Sequence, residues 1–333
     1  YASILRDWLC ALMFTNNDLC YCFASLLHSR IVLGPNLDMR SSPLFSVVVV
    51  FHNMQREAPR TLYSLSSAYQ IGLESIAYEV IAIDNGSSAP LDKKMVESFG
   101  PQFAYHYLPT KSKSPVDAIN FGAGIAEGKY LCINIDGARI LSPGIFDSIR
   151  KLVQIYESPF IYTLGLHLGP DLQNRSMLAG YDQGAEDQLL DDIDWQEDGY
   201  QLFEVSSLAG SSKDGYLGTI VESNCYCMPR DAFQRLGGLN KGFQSPGGGL
   251  VNLDIFQQAC NTDGMMPVLL LGEGTFHQFH GGVATNVAPE VHPMEAFKEE
   301  YTSIYGKPLQ EDHSIEPILF GKIHPASRKL FCV

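Results

Sequence analysis

KYLCINIDGARILSPG, residues 129–144, is the stretch whose reading decides the fold. Tyr130 to Ile135 is an apolar run too short for a helix, with Gly128 before it and Gly137 after it, and so reads as a buried strand. The strand delivers Asp136 to its C-terminal end, followed by Gly137, Ala138 and Arg139. In open α/β sheets the carboxyl ends of the strands form the crevice in which ligands bind. A carboxylate there, with Asn134 two residues earlier, suits a metal ion or a sugar hydroxyl. An Asp that only caps the following turn is the alternative. A second strand-end acid, Asp84 in IAIDNGSS, favours the ligand reading.

Upstream, strands and helices alternate. LFSVVVVF from Leu44 is uniformly apolar and β-branched, as a central parallel strand buried on both faces requires. HNMQREAP is a polar turn, Arg60 to Gln70 a helix, YEVIAID a second strand, and Leu91 to Phe99 a short helix. Phe103 to Leu108 is a weaker strand. Ser114-Pro115 then opens a helix to about Glu127, with Ser at the N-cap and Pro at N1. This alternation predicts an α/β fold with a doubly wound, mostly parallel sheet.

Composition narrows the function classes. A formal charge of −14 argues against nonspecific nucleic-acid binding, which needs a basic surface. The hydrophobic share of 45% and charged share of 18% are those of a soluble globular chain. The eight cysteines lack a secreted framework's spacing, and the pairs Cys20/Cys22 and Cys225/Cys227 lack the partners of a zinc site. Reduced thiols and a cytoplasmic location are the expectation. Residues 1–33 are apolar but broken by Asp7, Asn16-Asn17-Asp18 and Arg30. The uncharged stretch Leu19–Ser29 falls short of the ~20 residues that span a bilayer, so no transmembrane segment is expected. Two short helices, then a linker at Gly34-Pro35 and Ser41-Ser42-Pro43, are expected there.

The order SVVVVFHN, VIAIDNGSS, DAINFGAGIAEGKYLCINIDGARILSPG resembles the nucleotide-sugar half of family 2 glycosyltransferases. The resemblance implies a GT-A fold, with a Rossmann-like, mostly parallel central sheet flanked by helices. It places Asn53 and Glu57 after the first strand, with Phe51 at that strand's end. It makes Asp84 the reader of uracil or ribose, beside Asn85, and sets Asn120 near the diphosphate. Family members end the fourth strand in Asp-x-Asp, which binds a divalent metal (Mn²⁺ or Mg²⁺). Here Asp136, Gly137 and Ala138 stand in that place, so the second carboxylate is missing and Arg139 is a candidate to share the diphosphate charge.

The likeness continues more loosely. FIYTLGLHLG reads as a fifth strand ending at His167. Between Asp182 and Asp198 lie eight acids and no Lys or Arg, a solvated face unless Trp195 inside it stacks on a sugar. Glu222 and Asn224, in VESNCYCMPR, correspond to the acceptor side of the cleft. SPGGGLVNLDIFQQAC follows, in which Gly248 and Gly249 allow close backbone approach. Asn252 and Asp254 stand where the family carries its catalytic base, and only Asp254 is a carboxylate. His277 and His280, three apart before two glycines, are candidates for the metal or the diphosphate, with Thr285 and Asn286 ordering the same loop. Met294 to Tyr305 is an amphipathic helix with Phe297 and Tyr301 on one face.

These readings predict an N-terminal helical extension over 1–42, a GT-A domain over 43–285 (nucleotide-sugar half 43–145, acceptor half 146–285) and a C-terminal helix and tail over 286–333. The implied activity is inverting, metal-assisted transfer of a sugar from a nucleoside diphosphate, uridine-linked, to a glycan, lipid-linked or other hydroxyl acceptor. A catalytically silent sugar- or nucleotide-binding module is the rival, motivated by Ala138 and the missing Glu-Asp. A nucleotidyltransferase is disfavoured because the turn after the first strand has no glycine.

Overall fold

The structure, a computed structural model, describes residues 42–73, 76–310 and 314–331. The helices expected in 1–33 lie outside the described residues.

The predicted alternation is present. Strand β1 (Phe45–Phe51) leads to helix α1 (Ala58–Ser64), β2 (Tyr78–Asn85), α2 (Lys93–Glu97), β3 (Phe103–Leu108), α3 (Val116–Ile125) and β4 (Tyr130–Asn134). The four strands pair in parallel in the order β3-β2-β1-β4. Every residue of β1 and β4 is buried, which is why both lack a polar alternation. Helix α1 is shorter than expected. Ser66 and Gln70 turn back onto it, with the Gln70 amide donating to the carbonyls of Ser64 and Ser142. Helix α3 begins one residue later than predicted: Ser114 Oγ accepts from Val116 N at 3.4 Å and donates to the Phe243 carbonyl at 2.8 Å.

Beyond β4 come β5 (Arg139–Leu141), α4 (Ile145–Ile155), β6 (Pro159–Leu168), α5 (Gln173–Ser176), α6 (Gln183–Asp191), β7 (Ser206–Leu208), β8 (Cys225–Pro229), α7 (Arg230–Arg235), α8 (Val251–Cys260), β9 (Met266–His277), α9 (Met294–Tyr305) and β10 (Ile318–Gly321). The main sheet runs β10-β9-β6-β8-β4-β1-β2-β3, with only β8 antiparallel to its neighbours. After 285 the chain forms the expected helix α9 and then β10, which extends the sheet alongside β9. Two cores cover the two faces. One contains Val48, Val50, Ile119, Phe160, Val251 and Phe256; the other contains Val47, Val49, Leu62, Ile145, Phe146 and Ile149.

This topology brings the C-terminal ends of β1, β2, β4, β6 and β9 to one edge. Antiparallel β8 begins at that edge, so Glu222 and Asn224 lie just before its entry. No helix among the described residues is long and apolar enough to cross a membrane.

Among the buried carboxyls, Glu273 titrates far from its ordinary range. Glu273 of β9 accepts from Ser142 Oγ and Gly144 N on one oxygen and from Tyr200 OH on the other, and burial pushes its pKa up to about 7. The folded state thus holds this proton more tightly than the unfolded chain. The stability it contributes is full below pH ~4.5 and is lost as pH rises through about 7, a loss of about 3 kcal/mol. Glu273→Gln can place its carbonyl at Ser142 and Gly144 and its amide at Tyr200. The variant is expected to lose less stability than the parent between pH 5 and 8, read by denaturant unfolding at each pH.

Candidate active site

Asp136 and His277 are far apart in sequence, and the DGAR turn joins them. Gly137 N donates to the Val50 carbonyl at 2.8 Å, turning the chain at the end of β1. Strand β5 then runs antiparallel to the last residues of β9, with Arg139 opposite His277, and Gln278 N donates to the Ala138 carbonyl at 2.8 Å. Only glycine fits at 137. A Cβ there would lie 2.3 Å from Phe51 Cδ1 and 2.6 Å from the Val50 carbonyl oxygen. Gly137→Ala is expected to cost about 1–3 kcal/mol through overpacking and to displace Asp136, measured as a lowered unfolding midpoint together with weaker Mn²⁺ binding.

Asp136 uses its two oxygens differently. Oδ1 accepts from Ala138 N at 3.0 Å, so the turn-capping alternative describes one oxygen. Oδ2 faces His277 Nε2 at 3.0 Å, His280 Nε2 at 3.8 Å and Arg139 Nε at 3.8 Å. The two histidine Nε2 atoms are 3.2 Å apart. Burial works against the Asp136 charge, but His280, His277 and Arg139 hold its carboxyl well below the usual range. Asp136, His277 and His280 are the one grouping among the described residues whose side chains could hold a metal ion. The second carboxylate missing at Ala138 is thus matched by two imidazoles from the end of β9.

Arg139 is buried, and its Nε and Nη1 have no hydrogen-bond partner. Burial lowers its pKa, opposed by the charges of Asp136 and Glu222. A side chain at Gly165 would lie 3.8 Å from both Arg139 Nη1 and Asn224 Nδ2, so the two side chains line the same space. Asn252 Nδ2 donates to Asn224 Oδ1 at 3.4 Å, and Asn252 Oδ1 is buried without a partner. Both polar atoms of Asn134, at the end of β4, are likewise unpaired. Buried polar atoms are nearly always satisfied, so the unpaired nitrogens of Arg139, next to Asp136, are suited to a polar ligand.

Other expected site residues have different work. Asp84 is fully buried, with Oδ1 accepting from Ser87 N and Oδ2 from Leu91 N, each at 2.9 Å. These bonds shape the loop after β2 and hold Asp84 beneath the surface. Asn85 donates to the carbonyls of Ser112 and Ser114, leaving its buried Oδ1 unpaired. Asn53, with a left-handed φ of 54°, binds the same loop through Ser88 N and Ser88 Oγ, each at 2.9 Å. Phe51 is core packing under Gly137. Glu57 is buried against Arg56 at 3.0 Å and Gln183 at 3.1 Å rather than open to a ligand. Asn120 brackets Leu239, accepting from its N–H at 2.9 Å and donating to its carbonyl at 2.8 Å, so it holds that loop rather than a diphosphate.

Helix α8 separates its two candidates, since positions two apart lie on nearly opposite sides of a helix. Asn252 faces Asn224, whereas Asp254 Oδ2 accepts from Gln258 Nε2 at 2.7 Å and from Tyr305 OH of α9 at 3.0 Å. Burial raises the Asp254 pKa against those two donors. The side chain presented to the polar cluster is therefore an amide, and the carboxylate secures α9. Gly248 and Gly249, both with left-handed φ, pack against Pro115 and Glu300 respectively.

The acidic segment is largely the expected solvated face, with Asp182, Asp191, Asp192, Asp194, Glu197 and Asp198 exposed and one exception. Its Glu186 is fully buried, accepting from Arg56 at 3.2 Å and Phe279 N at 2.7 Å, and burial pushes its pKa up to about 7. Trp195 is core, edge-on to Tyr63 and Tyr69, and does not offer a sugar platform. Gln173, absent from the sequence reading, contacts His277 directly; no spacing in the chain announces it.

Residues 46–137 match the family model for glycosyl transferase family 2. The α/β sheet flanked by helices is the GT-A arrangement expected of it. Among solved structures, S. aureus TarS 1–349 is 12% identical with a TM-score of 0.45, over 70% of this chain and 60% of that one. TarS 1–349 in complex with UDP-GlcNAc is 13% identical with a TM-score of 0.47, over 78% of this chain and 66% of that one. The chain thus spans less than two thirds of the length of these structures. No curated protein matches.

Proposed function

We propose that the chain transfers a glycosyl group from a nucleoside-diphosphate sugar to a hydroxyl acceptor, with inversion, using a divalent cation held by Asp136, His277 and His280. The observation that carries this reading is the contact between Asp136 and His277. His277 Nδ1 lies 2.8 Å from Gln173 Oε1, an acceptor, and we place the ring proton on Nδ1. Nε2 then turns a lone pair toward a carboxylate oxygen 3.0 Å away, and burial, opposed by Asp136, lowers the ring's pKa to about 4. Two acceptors at that distance call for a cation. Neighbouring donors around an ion with ~2.1 Å bonds lie ~3 Å apart, close to the separations of 3.0, 3.2 and 3.8 Å found here.

A bound cation would supply charge neutralisation for the departing diphosphate. Two imidazole donors favour Mn²⁺ over Mg²⁺, which prefers oxygen ligands. Asp136 and Glu222 outnumber Arg139 by one negative charge, so with a divalent ion held there the site would be cationic and receptive to a diphosphate. The unpaired Arg139 nitrogens add donors suited to phosphate oxygens. Uridine is the nucleotide the family resemblance implies.

Inversion needs a proton acceptor for the attacking hydroxyl. Asn252 cannot serve, and Asp254 lies on the other side of α8. We assign the role to Glu222, a half-buried carboxylate two residues before Asn224, whose charge acts on Arg139. Asn224 and Asn252 orient the acceptor. The two histidines remove the main motive for the silent-module reading, because the donor set no longer lacks ligands.

The test is incubation with a panel of nucleotide sugars and Mn²⁺, following nucleoside diphosphate release. Release from one donor, abolished by chelator, is expected. Binding of a nucleotide sugar with no release in the presence of varied acceptors would favour the silent module.

A further inference from the structure

We infer that Gln173 is a positioning residue for the cation site: its side-chain oxygen holds His277 in the Nδ1–H tautomer, and Asn286 holds Gln173 in register. The inference rests on the cation reading above, and Gln173 lies 104 residues from its target.

Both amides are oriented by backbone groups that cannot flip. Asn286 Oδ1 accepts from His280 N at 3.2 Å and from Gly281 N and Gly282 N at 2.9 Å each. Its Nδ2 must therefore point away from that loop, and it donates to Gln173 Oε1 at 3.0 Å. On the other side, Gln173 Nε2 donates to the His277 carbonyl at 2.8 Å and to the Leu168 carbonyl at 3.4 Å. The Gln173 oxygen is thereby fixed toward His277 Nδ1. Gln173 itself is fully buried, and its backbone N–H donates to His167 Nδ1 at 3.0 Å. Glu186 stands behind, accepting from Phe279 N at 2.7 Å and lying 3.5 Å from Gln173 Nε2.

The chemical consequence falls on Nε2. A neutral imidazole carries one proton, and the hydrogen bond made by one nitrogen decides which is free to bind a metal. Without the Gln173 oxygen, the proton is drawn to Nε2 by the Asp136 carboxylate and occupies the ligand position. Asn286 performs a second task, since the three amides it binds set the path of the loop carrying His280. One polar chain thus orients both imidazoles, and losing such an outer partner typically lowers metal affinity ~10–100-fold.

The test combines ¹⁵N spectra of the histidine side chains in metal-free protein with Mn²⁺ titration calorimetry, on the parent and on Gln173→Met, a substitution of similar volume without the acceptor. The expected results are a proton on His277 Nδ1 in the parent, its transfer to Nε2 in the variant, and a ~10–100-fold loss of Mn²⁺ affinity with the fold intact by circular dichroism. A parent His277 protonated on Nε2 overturns the inference whether or not the variant folds. So does a folded variant that binds Mn²⁺ as the parent does. A parent that binds no Mn²⁺ but carries the Nδ1 proton defeats the cation reading while supporting the tautomer assignment.

Discussion

Glu222→Gln is expected to lower kcat for sugar transfer by ~10²–10⁴ while leaving donor affinity near normal. Glutamine keeps the length and polarity of the side chain but cannot take a proton, so the loss falls in the transition state alone. Asp254→Asn is the informative comparison. Its carboxylate accepts from Gln258 and Tyr305 on the side of α8 away from Asn224. The asparagine carbonyl can accept the same two bonds, so kcat should stay within about tenfold of the parent, with the effect seen in stability. The two variants reverse their order if the base is Asp254 after all. A collapse in Asp254→Asn beside near-normal turnover in Glu222→Gln would show that α8 rotates or α9 moves when substrates bind.

Asp136→Asn carries the second large effect. The asparagine carbonyl can still accept from Ala138 N, so the turn should survive. Toward His277 and His280, however, a neutral amide replaces the anionic ligand. Mn²⁺ affinity should fall by more than ~10²-fold, since outer partners of ligands alone account for ~10–100-fold. Arg139 at the same time loses the counter-charge that acts on it most strongly. The variant should therefore fail to show any Mn²⁺-dependent gain in nucleotide binding, measured by calorimetry. Retained Mn²⁺ affinity in a folded variant would place the ion elsewhere.

Much of this architecture was legible in the chain because burial on both faces writes itself as unbroken apolar runs. VVVV in β1 and the Tyr130–Ile135 run needed no long-range information. The strand-end position of Asp136 and the pairing of His277 with His280 followed from local pattern too. What stayed hidden depends on side-chain direction and on contacts across the sheet. Asp84, Glu57 and Asn120 are the residue types a nucleotide site uses, but backbone amides, Arg56 and Leu239 take up their polar atoms, and sequence spacing does not disclose such partners. Asn252 and Asp254 differ only by the turn of a helix, which one misplaced residue in an alignment reverses. The acidic run is a solvated face, as its composition suggests, except at Glu186, which Arg56 and the Phe279 amide draw inward. Gln173 carries no pattern at all, because it reaches His277 only through the parallel pairing of β6 and β9.

Titration calorimetry of uridine diphosphate with and without Mn²⁺ tests the central claim most directly. If the diphosphate completes the ion's coordination at Asp136, His277 and His280, Mn²⁺ must raise nucleotide affinity, and by linkage the nucleotide must raise Mn²⁺ affinity by the same factor. The account predicts a gain of at least ~10-fold, ~1.4 kcal/mol of coupling, reciprocal within error and absent in Asp136→Asn. Equal nucleotide affinity in Mn²⁺ and in chelator would contradict it.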